Sequence, residues 1–119
     1  MHVAIVGAGA IGGVIGFHLA GVAEVTLVDP WAEHVAAIAA HGLTCERDGS
    51  VETRAVRATG DPDEAAPADV AIVLVKARQT PWAAEACRRL LAPDGVAYTL
   101  QNGVGNRELL AAALGEGRA

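Results

Sequence analysis

The order of apolar and polar positions predicts short buried strands alternating with helices. Residues 3–6 form a compact apolar run that breaks at Gly7, the pattern of a buried strand entering a turn. An amphipathic segment follows from Ile11 to about Ala20, with Ile11, Val14, Ile15 and Leu19 as the predicted buried stripe and Gly21 as its end. Residues 24–28 are β-branched and apolar and predict a second strand. A second helix is expected over 31–40, stopped by Gly42. The period then changes. Residues 43–47 and 51–57 alternate in steps of two around Asp48-Gly49, which predicts an antiparallel hairpin with a solvated polar face. Residues 60–67 read as a loop with one helical turn, the expected mobile connection.

The second half repeats the scheme. Residues 70–75 are apolar without a break, as in a central parallel strand covered on both faces. Thr80 as cap and Pro81 as first helical residue predict a helix through Leu91. Pro93-Asp94-Gly95 turns into a strand at 96–100, followed by a polar loop at 101–105, a last helix over 107–114 and a frayed end at 115–119. Strands and helices in this alternation make an α/β fold of Rossmann type: a doubly wound, mostly parallel sheet with an added antiparallel hairpin. The right-handed crossover rule leaves 3-2-1-4-5 as the order of the parallel strands.

Composition narrows the function classes. The 119 residues fit one domain, and 52% hydrophobic with 19% charged residues suffices for a core. Aromatics are only 3%, so Val, Ile, Leu and Ala must fill it. A formal net charge of -5 argues against a nucleic-acid surface. No apolar run is long enough to span a membrane, and the first segment lacks the features of a signal peptide. Cys45 and Cys87 are far apart without metal-ligand spacing, which suits two free thiols in a reducing cytoplasm and no metal site.

The candidate chemistry begins at the first turn. Gly7, Gly9 and Gly12 have G-x-G-x-x-G spacing between a strand and a helix, the context in which that motif binds a dinucleotide. Gly7 would make the tight turn, Gly9 would let backbone approach a pyrophosphate, and Gly12 would let helix pack on strand. The helix N-terminus adds unpaired N–H groups and the positive dipole end. Asp29 closes the second strand about 20 residues beyond the glycine turn, where an acidic residue reaches the adenosine ribose hydroxyls. It also reads as a cap for the next helix, with Pro30 opening that helix. Trp31 and His34 fall on the same side, where one of them could flank the adenine. Trp31 alternatively reads as a partly buried anchor. Lys76 ends a buried strand at the carboxyl edge, where open α/β sheets bind ligands.

Three loops, Gly7-Ala8-Gly9-Ala10-Ile11-Gly12, Lys76-x-x-Gln79 and Gln101-Asn102-Gly103-Val104-Gly105, occur in an order and spacing that resembles the N-terminal domain of the ketopantoate reductase (2-dehydropantoate 2-reductase) family over essentially the whole chain. The resemblance implies an NAD(P)-dependent oxidoreductase that reduces a 2-keto acid to a 2-hydroxy acid in the cytoplasm, in pantothenate biosynthesis for the founding members. It implies that Gly7, Ala8, Gly9, Ala10, Ile11 and Gly12 hold the pyrophosphate. Lys76 and Gln79 would line the cofactor cleft, and Asn102 would lie near nicotinamide and substrate. It also implies a helical C-terminal domain, supplying the catalytic lysine and a substrate-binding acid, that is absent from residues 1–119. The chain is therefore expected to be a fragment with no catalytic residue of its own, Lys76 and Asn102 supporting.

Family usage points to NADP. Asp29-Pro30-Trp31, with no Lys or Arg before Arg47, leans instead towards NAD, because a carboxylate repels a 2′-phosphate. The expected partners are a small-molecule 2-keto acid, no nucleic acid and no membrane, with a homo-oligomer left open. The competing reading is a stand-alone Rossmann module that senses a nucleotide without catalysis.

Overall fold

The computed structural model describes residues 1–7, 10–75 and 79–99, with only the backbone of Ala10, Ile11, Cys45 and Arg47. In chain order the elements are β1 (His2–Val6), α1 (Ala10–Leu19), β2 (Glu24–Val28), α2 (Ala32–His41), β3 (Leu43–Arg47), β4 (Ser50–Arg54) and β5 (Arg57–Thr59). A 3₁₀ turn (Pro62–Ala65), β6 (Ala68–Val73), α3 (Thr80–Leu90) and β7 (Leu91–Thr99) follow. The predicted loop at 101–105, the helix over 107–114 and the tail lie outside the described residues.

Five strands form one parallel sheet in the order β5-β2-β1-β6-β7, while β3 and β4 pair antiparallel by themselves. Counting only the parallel strands, this is the expected 3-2-1-4-5. The sheet is covered on both faces because side chains alternate along each strand. Val3, Ile5, Val25 and Leu27 meet Phe17 of α1, Ile38 of α2 and Leu43 of the hairpin on one face. Ala4, Val6, Val28, Ala71, Val73 and Ala97 meet Ala83, Cys87 and Leu90 of α3 on the other. Burial pushes the Cys87 thiol up to about 12.

Several boundaries differ from the sequence expectation, each for a physical reason. The second arm of the hairpin stops at Arg54, and the edge strand β5 begins three residues later, at Arg57. Alternation over 51–57 runs past the end of β4 to the first residue of β5 and conceals the break. The turn itself is as expected: Asp48 and Gly49 both take positive φ, 52° and 80°, the pairing that a two-residue type I′ hairpin demands.

The buried stripe of α1 is corrected. Val14 is 54% exposed and Ile15 and Leu19 are half-buried, while Phe17 and the glycine face Gly12–Gly16 lie against the sheet. A Cβ at Gly16 would sit 3.1 Å from Leu43 Cδ1 and 3.3 Å from Leu27 Cδ2. Glycines four apart share one helical face, so backbone takes the place that apolar side chains were expected to fill.

The connection at 60–67 is packed. Pro62 and Ala65 are buried, and the Asp61 carboxylate accepts from the Asp63 N–H at 3.0 Å to start the 3₁₀ turn. Arg89 of α3 donates to Asp61 at 3.1 Å and to Asp63 at 2.7 Å, and that hydrogen-bonded guanidinium holds the Asp63 carboxyl below the usual carboxylate range.

Thr80 is the fully buried first residue of α3 and Gln79 stands in the cap position, so the helix starts one residue earlier than Thr80-Pro81 suggested. At its other end β7 begins at once. Residues 92–95 form an irregularity between the pairs Ala68–Leu91 and Val70–Val96, where a turn was expected. A Cβ at Gly95 would lie 2.8 Å from the Ala68 carbonyl oxygen, so the glycine permits β7 to close on β6 there.

Candidate functional site

The strand register brings the carboxyl ends of all five parallel strands into one row, Thr59–Val28–Val6–Val73–Thr99. Hydrogen bonds continue the ladder past the row. The Gly7 N–H donates to the Val28 carbonyl at 2.8 Å, the Leu74 N–H to Val6 at 2.9 Å, and the Asp29 N–H to Thr59 at 3.1 Å. Gly7, Asp29, Gly60 and Leu74 are therefore neighbours along one edge, each the first residue beyond a strand.

Gly7 shows why this turn requires glycine. Its φ is +108°, and a Cβ would lie 2.9 Å from Val75 Cγ1 and 3.0 Å from the Val75 nitrogen. Any side chain would add backbone strain to a collision with β6's continuation. Gly12 has its own constraint. A Cβ there would run into the Gly7 carbonyl oxygen and come within 3.6 Å of Ile5 Cγ2. The helix thus starts close against the strand it leaves, and two of the three motif glycines have steric roles that can be read directly.

Asp29 is half-buried at the end of β2. Its Oδ1 accepts from the Trp31 N–H at 2.8 Å, a short Asx turn. This corrects the expected cap role: α2 starts at Ala32, its cap position is Trp31, and no side chain caps it. Trp31 is also not a partly buried anchor, being 61% exposed. Its indole is stacked on the His34 ring with centroids 5.4 Å apart and planes 13° from parallel. Gln79, half-buried, stands before α3, the helix that leaves the same edge after β6.

Of the predicted site residues, the structure brings Gly7, Gly12 and Asp29 to one edge, with the backbone of Ala10 and Ile11 in the first turn of α1. Ala8, Gly9, Lys76 and Asn102 lie outside the described residues. The side chains of Ala10 and Ile11 do as well. Sequence reasoning missed the contribution of β5, whose Thr59 carbonyl receives the Asp29 N–H and whose following Gly60 would carry a Cβ 3.4 Å from the Asp29 carbonyl oxygen. The signal available was the strand count, since an order of 3-2-1-4-5 requires a third parallel strand between β2 and β6.

An open groove of about 340 Å³ lies at the opposite, amino edge, between Ala20, Ala23, Val25 and Val56 beside Glu24 and Arg57. It is remote from the glycine turn. His2 is at that amino edge too: its ring contacts the Pro67 carbonyl at 3.0 Å and the Thr26 hydroxyl at 2.9 Å, so Nδ1–H donates to the former and Nε2 accepts from the latter. Among the described residues no three His, Cys, Asp or Glu come together as metal ligands, and no helix is long and apolar enough to cross a membrane.

A steric cradle at the first strand end, a helix leaving it and a carboxylate one strand away can accommodate a phosphate-linked nucleotide whose ribose donates to Asp29. A model described as "Ketopantoate reductase PanE/ApbA" matches residues 3–119. The 2-dehydropantoate 2-reductase of Halobacterium salinarum is 37% identical over 114 residues, covering 93% of this chain and 37% of the relative. The solved PanE/ApbA family ketopantoate reductase of Ralstonia eutropha is 40% identical with a TM-score of 0.87, over 97% of this chain and 39% of that one. D-mandelate dehydrogenase, solved as a ternary complex with NADH and anilino(oxo)acetate, is 30% identical with a TM-score of 0.89, over 99% of this chain and 39% of that one. The chain spans little more than a third of the length of these relatives.

Proposed function

Given that the chain belongs to the ketopantoate reductase PanE/ApbA family, we propose that it is the cofactor-binding part of an NAD(P)-dependent oxidoreductase that reduces a ketopantoate-like 2-keto acid to a 2-hydroxy acid. The observation that carries this reading is the row of strand ends with Gly7, Gly12 and Asp29 on one edge. In this reading the segment Gly7, Ala8, Gly9, Ala10, Ile11 and Gly12 receives the pyrophosphate, and Asp29 accepts from the adenosine ribose hydroxyls. Lys76 and Gln79 line the cleft, and Asn102 orients the substrate end. A bound nicotinamide supplies the hydride for the keto carbon. The chain's own residues bind and orient.

Cofactor choice follows from Asp29. Its Oδ1 is engaged by the Trp31 N–H, which holds the carboxylate at the strand end where a 2′-phosphate would meet like charge. That supports NADH over NADPH, and the relative solved with NADH is consistent with it. The names of the relatives support an enzyme over a stand-alone sensing module. Buried Cys87 suits a reducing cytoplasm.

Calorimetric titration of the chain with both cofactors tests the reading. NADH should bind more tightly than NADPH, and Asp29→Asn should narrow the gap by roughly tenfold, since removing one facing charge is of order 1–2 kcal/mol. Tighter binding of NADPH by the unaltered chain would refute the role given to Asp29. Absence of binding by either cofactor would refute the site.

A further inference from the structure

We propose that the groove at the amino edge is the seat of a second copy of this chain, paired about a two-fold axis so that Val22 of each copy enters the groove of the other. The groove holds about 340 Å³ between Ala20, Ala23, Val25 and Val56, ample room for a valine side chain. Val22 is 85% exposed, the most exposed large apolar side chain among the described residues. The turn that carries it is fixed. The Val22 N–H donates to the Leu19 carbonyl at 2.9 Å, and the Ala23 N–H donates to the same carbonyl at 2.8 Å. A β-branched side chain on a pinned turn gives up little freedom when it is covered.

Charge and symmetry select the partner. A two-fold interface is self-complementary, so one patch must carry both halves of every contact. This edge does. Val22 lies in the turn between Ala20 and Ala23, so knob and groove adjoin, and one acid and one base, Glu24 and Arg57, also line the groove. Within one copy these two are 3.7 Å apart and 64% and 63% exposed, a pair that contributes little by itself in water. Across the axis each faces the opposite charge of the copy, away from solvent. The whole chain carries a formal net charge of -5, yet the groove lining is balanced. Copies can therefore meet here without the repulsion that the rest of the surface imposes.

The contact is small. It buries on the order of 1,000 Å² in all, the low end for specific pairs, and a dissociation constant of roughly 10 µM is the scale expected. Gly7, Asp29 and the row of strand ends lie at the opposite edge, so pairing leaves the cofactor edge open and does not depend on the cofactor reading.

Sedimentation equilibrium of the chain from about 1 to 200 µM reads the pairing directly. The parent should show a monomer–dimer equilibrium. Val22→Ala should weaken it roughly tenfold through the two methyl groups lost, and Val22→Asp should abolish it across the range. Thermal unfolding of both variants should match the parent, because Val22 is exposed. Glu24→Arg and Arg57→Glu should each be monomeric alone, because like charges then face each other across the axis, while their equimolar mixture should dimerise. A role confined to one copy gives no such rescue on mixing. A parent that stays monomeric at the highest concentration would overturn the proposal. A dimer unchanged by Val22→Asp would overturn it too, by placing the contact elsewhere. Charge variants that dimerise alone as well as the parent, or a mixture no more associated than its components, would overturn the two-fold charge arrangement.

Discussion

Replacing Gly12 by alanine sets a helix-propensity gain against a steric loss, and the geometry decides the sign. Alanine in a helix interior is favoured over glycine by up to about 1 kcal/mol. At Gly12 the new Cβ would overlap the carbonyl oxygen of Gly7, a backbone atom fixed by the Gly7 N–H bond to Val28. No rotamer can relieve that contact. The helix must move off β1, an overpacking of about 3 kcal/mol, for a net loss of about 2 kcal/mol. Gly16 provides the control. There the nearest atoms are methyl ends of Leu43, Leu27 and Ile5 at 3.1, 3.3 and 3.4 Å, which can yield by a few tenths of an ångström. Cost and gain then cancel to within about 1 kcal/mol. Thermal unfolding followed by circular dichroism should place Gly12→Ala well below Gly16→Ala, with a fall in Tm of roughly 8 °C at about 4 °C per kcal/mol. Equal midpoints for the two variants would refute the claim that α1 is seated by backbone contact at its first turn.

Two further outcomes are expected. In a Cys45→Ser background, Cys87 should resist thiol reagents at pH 8 until the chain unfolds. Its thiol value is raised from 9.0 to about 12, so the buried neutral form has no effect on stability below pH 9 and destabilises the fold progressively between about 9 and 12, as the unfolded chain ionises first; a Cys87→Ala variant with the same alkaline loss would refute this. Arg54→Met should lower stability by about 2 kcal/mol, because Arg54 donates to the Phe17 carbonyl at 2.7 Å and lies 4.3 Å over the Phe17 ring, whereas an unchanged unfolding midpoint would show that the hairpin is tied to α1 by other contacts.

The parts of the fold legible in the sequence are those where one physical preference acts alone. Residues 70–75 are apolar without a break because both faces of β6 are covered, and Asp48-Gly49 marks its turn because few other pairs take two positive φ values. The failures occur where preferences overlap. Alternation continued from β4 into β5, so periodicity could not separate a hairpin arm from a parallel edge strand. In α1 the search for an apolar stripe passed over Gly12 and Gly16, whose packing surface is backbone and carries no hydropathy signal. At the site, glycine spacing located the turn and the strand-end acid located Asp29, since both are constraints on the local chain. The exposure of Trp31 was not legible, because whether an aromatic after a strand points inward depends on the Asx turn that Asp29 makes.

The first strand is central in the sheet, and this has a consequence for the order in which the molecule assembles. β1 pairs with β2 through neighbours about 22 residues away, but its other side waits for β6, and the His2 N–H bond to Asp69 spans 67 residues. The wall against which Gly7 is shaped is Val75. During synthesis the glycine turn therefore emerges well before Val75 and is moulded late, after a long loop has closed. Such closures slow folding more than they weaken the product. Until then residues 3–6 present a bare apolar edge, which makes the nascent first half, rather than the finished domain, the stage most open to capture by a chaperone or to aggregation.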